Sequence, residues 1–498
     1  MGKHPAILTL AGIRVDPSST VPLHRQIYGA LREVILERRV RGGMRLPSTR
    51  TLAAELGVSR TTVLIAFDQL ISEGYITGMR GSGTFVADSI PDDLLRVRAQ
   101  SANAARRPLS LRAISRRGML LASTLSSFSR DDVKARAFTP WLPAIDAFPF
   151  EVWSKLSSKR WRRPPVDLAG YGDPAGYRPL REAIANYLNT SRGVRCDAEQ
   201  VIIVSGSQQG LDLAARVLVD PGDSAWIEDP GYSGAHGALL GSGVKLVPVP
   251  VDDQGLDVRA GEASGKRAKL AYVTPSHQYP LGITMTLTRR LALLAWASRS
   301  GSWVLEDDYD SEYRYAGRPL AALQGIDNEG RVIYAGTFSK VLLPALRLGY
   351  LVVPADLVDA FTAAHSHSAY NSPPIEQAIL SDFITEGYFA RHIMRMRALY
   401  QERQAILIEA ASRELDGLIE VNPAEAGMHL IGWLPDKVND QHISRQAASI
   451  GVDVRPLSFY CIKAKQRPGL LLGYTGVQAE EIYDGVKKLA KLLRHKKR

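Results

Sequence analysis

From about residue 138 onward, short apolar runs rich in β-formers alternate with helical stretches. They lie at 201–204, 224–227, 270–273, 303–305, 332–334 and 349–353. Strands separated by helices form crossover units, so this region is expected to fold as an α/β domain on a mostly parallel sheet. Ligands in such folds gather where the strands end. The rhythm does not reach the N-terminus. A chain of 498 residues exceeds one ordinary domain, and its first 130 residues follow another plan.

There, Leu23, Ile27, Leu31, Val34 and Ile35 recur at helical spacing, with Pro22 suited to a first turn and Gly42-Gly43 expected to end the helix. Pro47-Ser48 opens a second, short helix from Thr49 to Leu56, with Leu52 and Leu56 inward. Gly57-Val58 turns the chain and Ser59 is placed to N-cap a third helix. Its expected buried stripe is Val63, Phe67, Leu70 and Ile71, which leaves Arg60, Thr61 and Thr62 on the opposite face near its start. Two helices so joined form a helix-turn-helix, whose second helix enters the major groove of double-stranded DNA by its N-terminal end. Residues 79–86, MRGSGTFV, read as the tip and return of a β-hairpin, a wing with Arg80 at its end. Ser48, Arg50 and Ser82 complete the expected DNA-facing set.

Charge agrees with a polyanionic partner. The net charge is +11, and 94–130 carries Arg96, Arg98, Arg106, Arg107, Arg112, Arg116, Arg117 and Arg130 with no acid. That stretch has little periodicity beyond a weak helical pattern at 109–121 and reads as a basic, flexible linker. Two distant cysteines, Cys196 and Cys461, make neither a disulfide framework nor a zinc pattern, so no metal is expected. The apolar run at 6–13 is too short to span a membrane. A cytoplasmic protein without membrane contact is expected.

The strand ends carry chemistry. The run 303–305 leads into Glu306-Asp307-Asp308-Tyr309-Asp310. A carboxylate at the end of a buried strand can keep a pyridine nitrogen protonated, and Asp307 is the candidate, with Tyr309 placed to hydrogen-bond a phenolic oxygen. Lys340 follows 33 positions after Asp307. In a partly desolvated, cationic pocket its amine would lose a proton readily and form a Schiff base. Thr337 and Arg347 are placed for a phosphate, and Ser207 and Gln208 begin a helix whose N–H groups make an anion cradle. Tyr232 is placed to stack on the ring. Together these describe a site for pyridoxal 5'-phosphate (PLP).

The phrases LPSTRTLAAELGVSRTTV and GYITGMRGSGTFV resemble the winged helix-turn-helix of the GntR family over 21–88. SGSQQ, EDPGY, EDDYDSEYRY and GTFSKVLLPALRLGY resemble fold-type I aminotransferases, and more closely the effector domain of MocR-type regulators. The resemblance implies three segments: a winged domain at 16–88, a linker at 89–130, and an aminotransferase-like effector domain at 131–498 with a smaller C-terminal subdomain. It implies Lys340 as the Schiff-base lysine, Asp307 as the pyridinium partner, Tyr309 as the O3′ partner and Tyr232 as the stacking ring. Ser207, Gln208, Thr337 and Arg347 would hold the phosphate.

Two departures bear on activity. Aminotransferases grip the substrate carboxylate with an arginine where this chain has Leu471; Arg455 lies upstream as a substitute. Where the enzymes have Asn-Pro-x-Gly this chain reads HQYPLG at 277–282, and His277 or Gln278 is expected to fill the asparagine's space beside the cofactor. Net transamination is therefore not expected. The expected function is a homodimeric transcriptional regulator that reads two half-sites and senses PLP, or an amine or amino acid, through Lys340. The alternative is a working PLP-dependent aminotransferase with an accessory DNA-binding domain.

Overall fold

The computed structural model describes residues 13, 15–79, 83–90, 114–124, 136–317 and 320–494, and divides into two units, Met1–Ala113 and Ile114–Arg498. In the first unit α1 (Leu23–Leu36), α2 (Thr49–Leu56) and α3 (Arg60–Ser72) precede an antiparallel hairpin of β1 (Ile76–Met79) and β2 (Gly83–Val86). Ile27, Leu31, Ile35, Leu52, Val63, Ala66, Phe67 and Leu70 form its core. Two expectations are corrected. Ile71 is 43% exposed, because at 100° per residue it lies 80° round the helix from Val63, and Ala66 fills the stripe instead. Helix α1 stops at Leu36, ahead of Gly42-Gly43, and Arg38 takes a left-handed conformation (φ 56°) just beyond it. Gly42 instead lies against the chain leaving the wing: a Cβ there would sit 2.8 Å from Asp88 Cα.

The second unit holds a sheet of β3 (Val201–Val204), β4 (Ser224–Asp229), β5 (Lys245–Asp252), β6 (Gly255–Leu256), β7 (Ala268–Val273), β8 (Trp303–Asp308), β9 (Val332–Thr337) and β10 (Gly349–Val352). The order is β3-β10-β9-β8-β7-β4-β5-β6. From β9 through β5 the neighbours run parallel, while β10 is antiparallel to both its neighbours. All six expected strands are present and buried on both faces, as crossover helices require. A smaller antiparallel sheet of β11 (Glu420–Val421), β12 (His429–Trp433), β13 (Arg455–Pro456) and β14 (Gly469–Gly473) has the order β11-β12-β14-β13.

Part of the expected linker is ordered otherwise. Arg116–Thr124 is a helix packed on the helix Ser233–Gly241, close enough that a Cβ on Gly241 would come within 3.0 Å of Leu121. The rest of that stretch from residue 91 on, 91–113 and 125–130, lies outside the described residues. Among the described residues no helix is long and apolar enough to cross a membrane.

Candidate functional site

Strand β8 runs on through its acids, and strand alternation sends them to opposite faces. Glu306 accepts the N–H groups of Leu323 and Gln324 (2.8 and 2.9 Å). Asp308 accepts through Oδ2 from Arg192 at 2.7 Å and from the Tyr334 hydroxyl at 2.6 Å, in a buried charge pair. Between them Asp307 faces the other way, into a cavity of about 580 Å³. Its Oδ2 accepts from the Tyr272 hydroxyl at 2.8 Å, while its buried Oδ1 has no partner among the described residues. Burial raises the Asp307 pKa to about 7, against the Tyr272 hydrogen bond that lowers it.

Lys340 opens on the same cavity, three residues beyond the end of β9, with Nζ donating to Trp141 O at 3.2 Å. Burial lowers its pKa to about 8. Arg347 adopts a left-handed backbone (φ 50°) and donates to Ser205 O at 3.1 Å. Next to it Gly206, at φ 91°, starts the helix Ser207–Leu218; a Cβ on this glycine would stand 3.7 Å from the Arg347 guanidinium. The helix N-terminus and the guanidinium thus form one anion cradle. Gln208 spends its side-chain amide on Gly234 O (2.8 Å), leaving its backbone N–H at the helix start.

Lys340, Asp307, Tyr309, Tyr232, Ser207, Gln208, Thr337 and Arg347 all line this cavity. His277 does not. The side chain in the asparagine's place is Tyr279, whose hydroxyl donates to that of Tyr460 at 2.9 Å, and His277 lies behind Tyr309. Gln278 is also turned away, donating to Pro230 O at 2.9 Å and Tyr279 O at 2.7 Å. The lining residues that went unread in the sequence include Tyr272, Trp141 and Tyr460. Leu471 is wholly buried with Tyr279 and Leu457, and Arg455 is its register partner on β13. Arg455 also lines the cavity, 3.3 Å from Asp453 and over the Trp141 ring at 5.6 Å.

An unpartnered buried carboxylate oxygen, an easily deprotonated lysine and an anion cradle on one wall match the three polar ends of PLP: ring nitrogen, aldehyde and phosphate. The residues present fit the cofactor.

In the first unit, Ser48 and Ser59 cap α2 and α3 by accepting from Thr51 N and Thr62 N, each at 3.1 Å. The Thr62 hydroxyl lies 2.8 Å from Ser59 Oγ, so both are engaged in the cap. Arg50, Arg60 and Thr61 are exposed around the helix starts, with Arg60 Nε 3.5 Å from Thr49 Oγ1. Arg80 and Ser82 lie outside the described residues. Arg45, unread in the sequence, bridges to Phe85 and lies over Gly83 of the hairpin.

Residues 149–470 match the family model for aminotransferase class I and II, and 23–86 match that for bacterial regulatory proteins of the gntR family. The chain is 42% identical over 475 residues to the probable rhizopine catabolism regulatory protein MocR of Rhizobium meliloti, covering 95% of this chain and 94% of that protein. It is 32% identical over 489 residues to the HTH-type transcriptional regulator TauR of Rhodobacter capsulatus, covering 96% and 98%. Among solved structures, the kynurenine aminotransferase of Pyrococcus horikoshii in complex with PMP matches with a TM-score of 0.68 at 29% identity, covering 81% of this chain and 100% of that one. The α-aminoadipate aminotransferase LysN of Thermus thermophilus, complexed with N-(5'-phosphopyridoxyl)-L-leucine, matches with a TM-score of 0.69 at 28% identity, covering 76% and 97%.

Proposed function

The chain belongs to the MocR-type regulators, GntR-family transcription factors with a class I and II aminotransferase domain, and from that premise we propose that its Lys340 cavity sets the DNA-binding state. The winged unit binds DNA and the cofactor of the effector domain is PLP. The sensing step is the proposal. It is carried by the convergence of Lys340, Asp307 and Arg347 on one cavity, with Asp307 Oδ1 lacking a partner among the described residues.

Bound there, PLP supplies a carbon reactive toward amines and an electron-withdrawing ring. The residues do the rest. Burial lets Lys340 give up its proton near pH 8, well below the usual lysine range. Asp307, held by Tyr272, would meet the ring nitrogen through its Oδ1, which has no partner among the described residues. Arg347 and the start of the helix Ser207–Leu218 would hold the phosphate, and Tyr232 stands in the wall. A ligand shifts the DNA-binding equilibrium only by its preference for one conformation over the other. PLP itself, or an amine that displaces Lys340, would act in this way. A homodimer would bring two winged heads to two half-sites of an operator.

Leu471 in the arginine's place speaks against the enzyme reading, since a charge-assisted carboxylate contact is lost there. The test is DNA affinity for the gene's own upstream region at fixed salt, in wild type and Lys340→Ala, with PLP present and amines added. A response in wild type that Lys340→Ala lacks is expected. Equal responses in both proteins would overturn the reading, and steady keto-acid formation would favour the aminotransferase.

A further inference from the structure

His277 is not among the residues lining the Lys340 cavity, yet it is held tightly beside one that is, Tyr309. Its side chain is 2% exposed, and its Nδ1 lies 3.0 Å from the Tyr309 hydroxyl and 2.9 Å from Asp310 Oδ2. Two glycines wall the imidazole: a Cβ on Gly282 would stand 3.2 Å from Nε2, and one on Gly427 would overlap Cε1. Nε2 itself has no partner among the described residues. A carboxylate oxygen at 2.9 Å needs a hydrogen between it and Nδ1, which places the proton on Nδ1. That N–H then faces Tyr309 Oη as well, so the tyrosine oxygen accepts from the imidazole and its own O–H is turned to the cavity.

We propose that His277, held by Asp310, is a positioning residue that fixes the Tyr309 hydroxyl as a donor toward the cofactor's phenolic oxygen. The proposal rests on the PLP reading of the cavity. Without His277 the carboxylate of Asp310 is the better acceptor for the Tyr309 O–H, and the hydroxyl turns away from the cavity. Other titratable groups stand near this trio. They are Asp307, Asp308, Glu228, Lys340, Tyr279, Tyr315, His429 and Tyr474. None of them offers Tyr309 a second hydrogen-bond partner in its place.

A donor on the phenolic oxygen draws off electron density that would otherwise hold the proton on the lysine-linked nitrogen, so its loss raises that group's proton affinity. The test is a spectroscopic pH titration of the lysine-linked cofactor in the PLP-loaded full chain. The variants are Tyr309→Phe, His277→Leu, His277→Asn and the double variant Tyr309→Phe/His277→Leu. We expect Tyr309→Phe and His277→Leu to raise the midpoint alike, by about tenfold in proton affinity. The double variant should add nothing to Tyr309→Phe alone. His277→Asn, whose amide N–H can stand where Nδ1–H stood, should restore the wild-type midpoint. His277→Ala replaces the leucine variant should leucine not fit between the two glycines.

A midpoint that moves in Tyr309→Phe and stays at the wild-type value in both His277→Leu and His277→Ala overturns the proposal while leaving the PLP reading intact. A midpoint that moves in none of the variants overturns the Tyr309 assignment, and the proposal with it.

Discussion

The charge of Lys340 is set by opposed influences: burial lowers its pKa to about 8, the carboxylates of Asp310 and Asp307 pull it upward, and Arg347 lowers it again. The reactive neutral amine therefore accumulates as pH rises through about 8, well below the lysine value of 10.5. Capture of PLP by the cofactor-free chain should accelerate across that range and level off above it. Asp307→Asn removes one of the carboxylates that raise the pKa, so the midpoint should move down. The rate of borohydride-trappable cofactor uptake measures both. A rate still climbing past about pH 10 would mean that the lysine is not desolvated. Lys340→Ala should lose all trapped cofactor.

What could be read in the sequence at this scale follows from chemistry with few substitutes. An acid at a strand end and a lysine 33 positions on are each weak signals, and it is the order of the phrases around them that made the pair legible; both line one cavity. Tyr272 and Trp141 were not legible, because their partners lie 35 and 199 residues away and only the fold brings them together. His277 and Tyr279 were confused for a related reason. A turn's spacing says nothing of which side chain points into the cavity.

Elements with strong periodicity were legible, down to the cap residue of the third helix, whereas the capping role of Ser48 on α2 was not read. Ile71 was misplaced because it is adjacent to the stripe and apolar, and only the exact rotation separates it from Leu70. Ser59 caps α3 through one hydroxyl. Ser59→Ala should cost the winged unit about 1 kcal/mol, read by chemical denaturation. A loss near zero would show that the cap is not holding the helix start. Arg60→Ala should weaken specific DNA binding by about 1–3 kcal/mol and random binding far less. Equal losses on both DNAs would show that Arg60 meets only phosphate. The small antiparallel sheet was less legible: β11 and β13 are two residues each and exist by pairing with β12 and β14.

Over the whole chain, a basic reader and a PLP domain are joined in one polypeptide, and nothing in the chemistry of either explains the other unless the cavity's state is felt at the DNA. Surface charge alone would give affinity that falls with salt and ignores cofactor. The most direct test is the affinity of the full chain for its own upstream region at one fixed salt concentration, PLP-stripped against PLP-reloaded. The account predicts a clear shift in affinity or footprint on reloading, absent in Lys340→Ala. Identical binding by stripped and reloaded protein, and by both after adding amines, would contradict it.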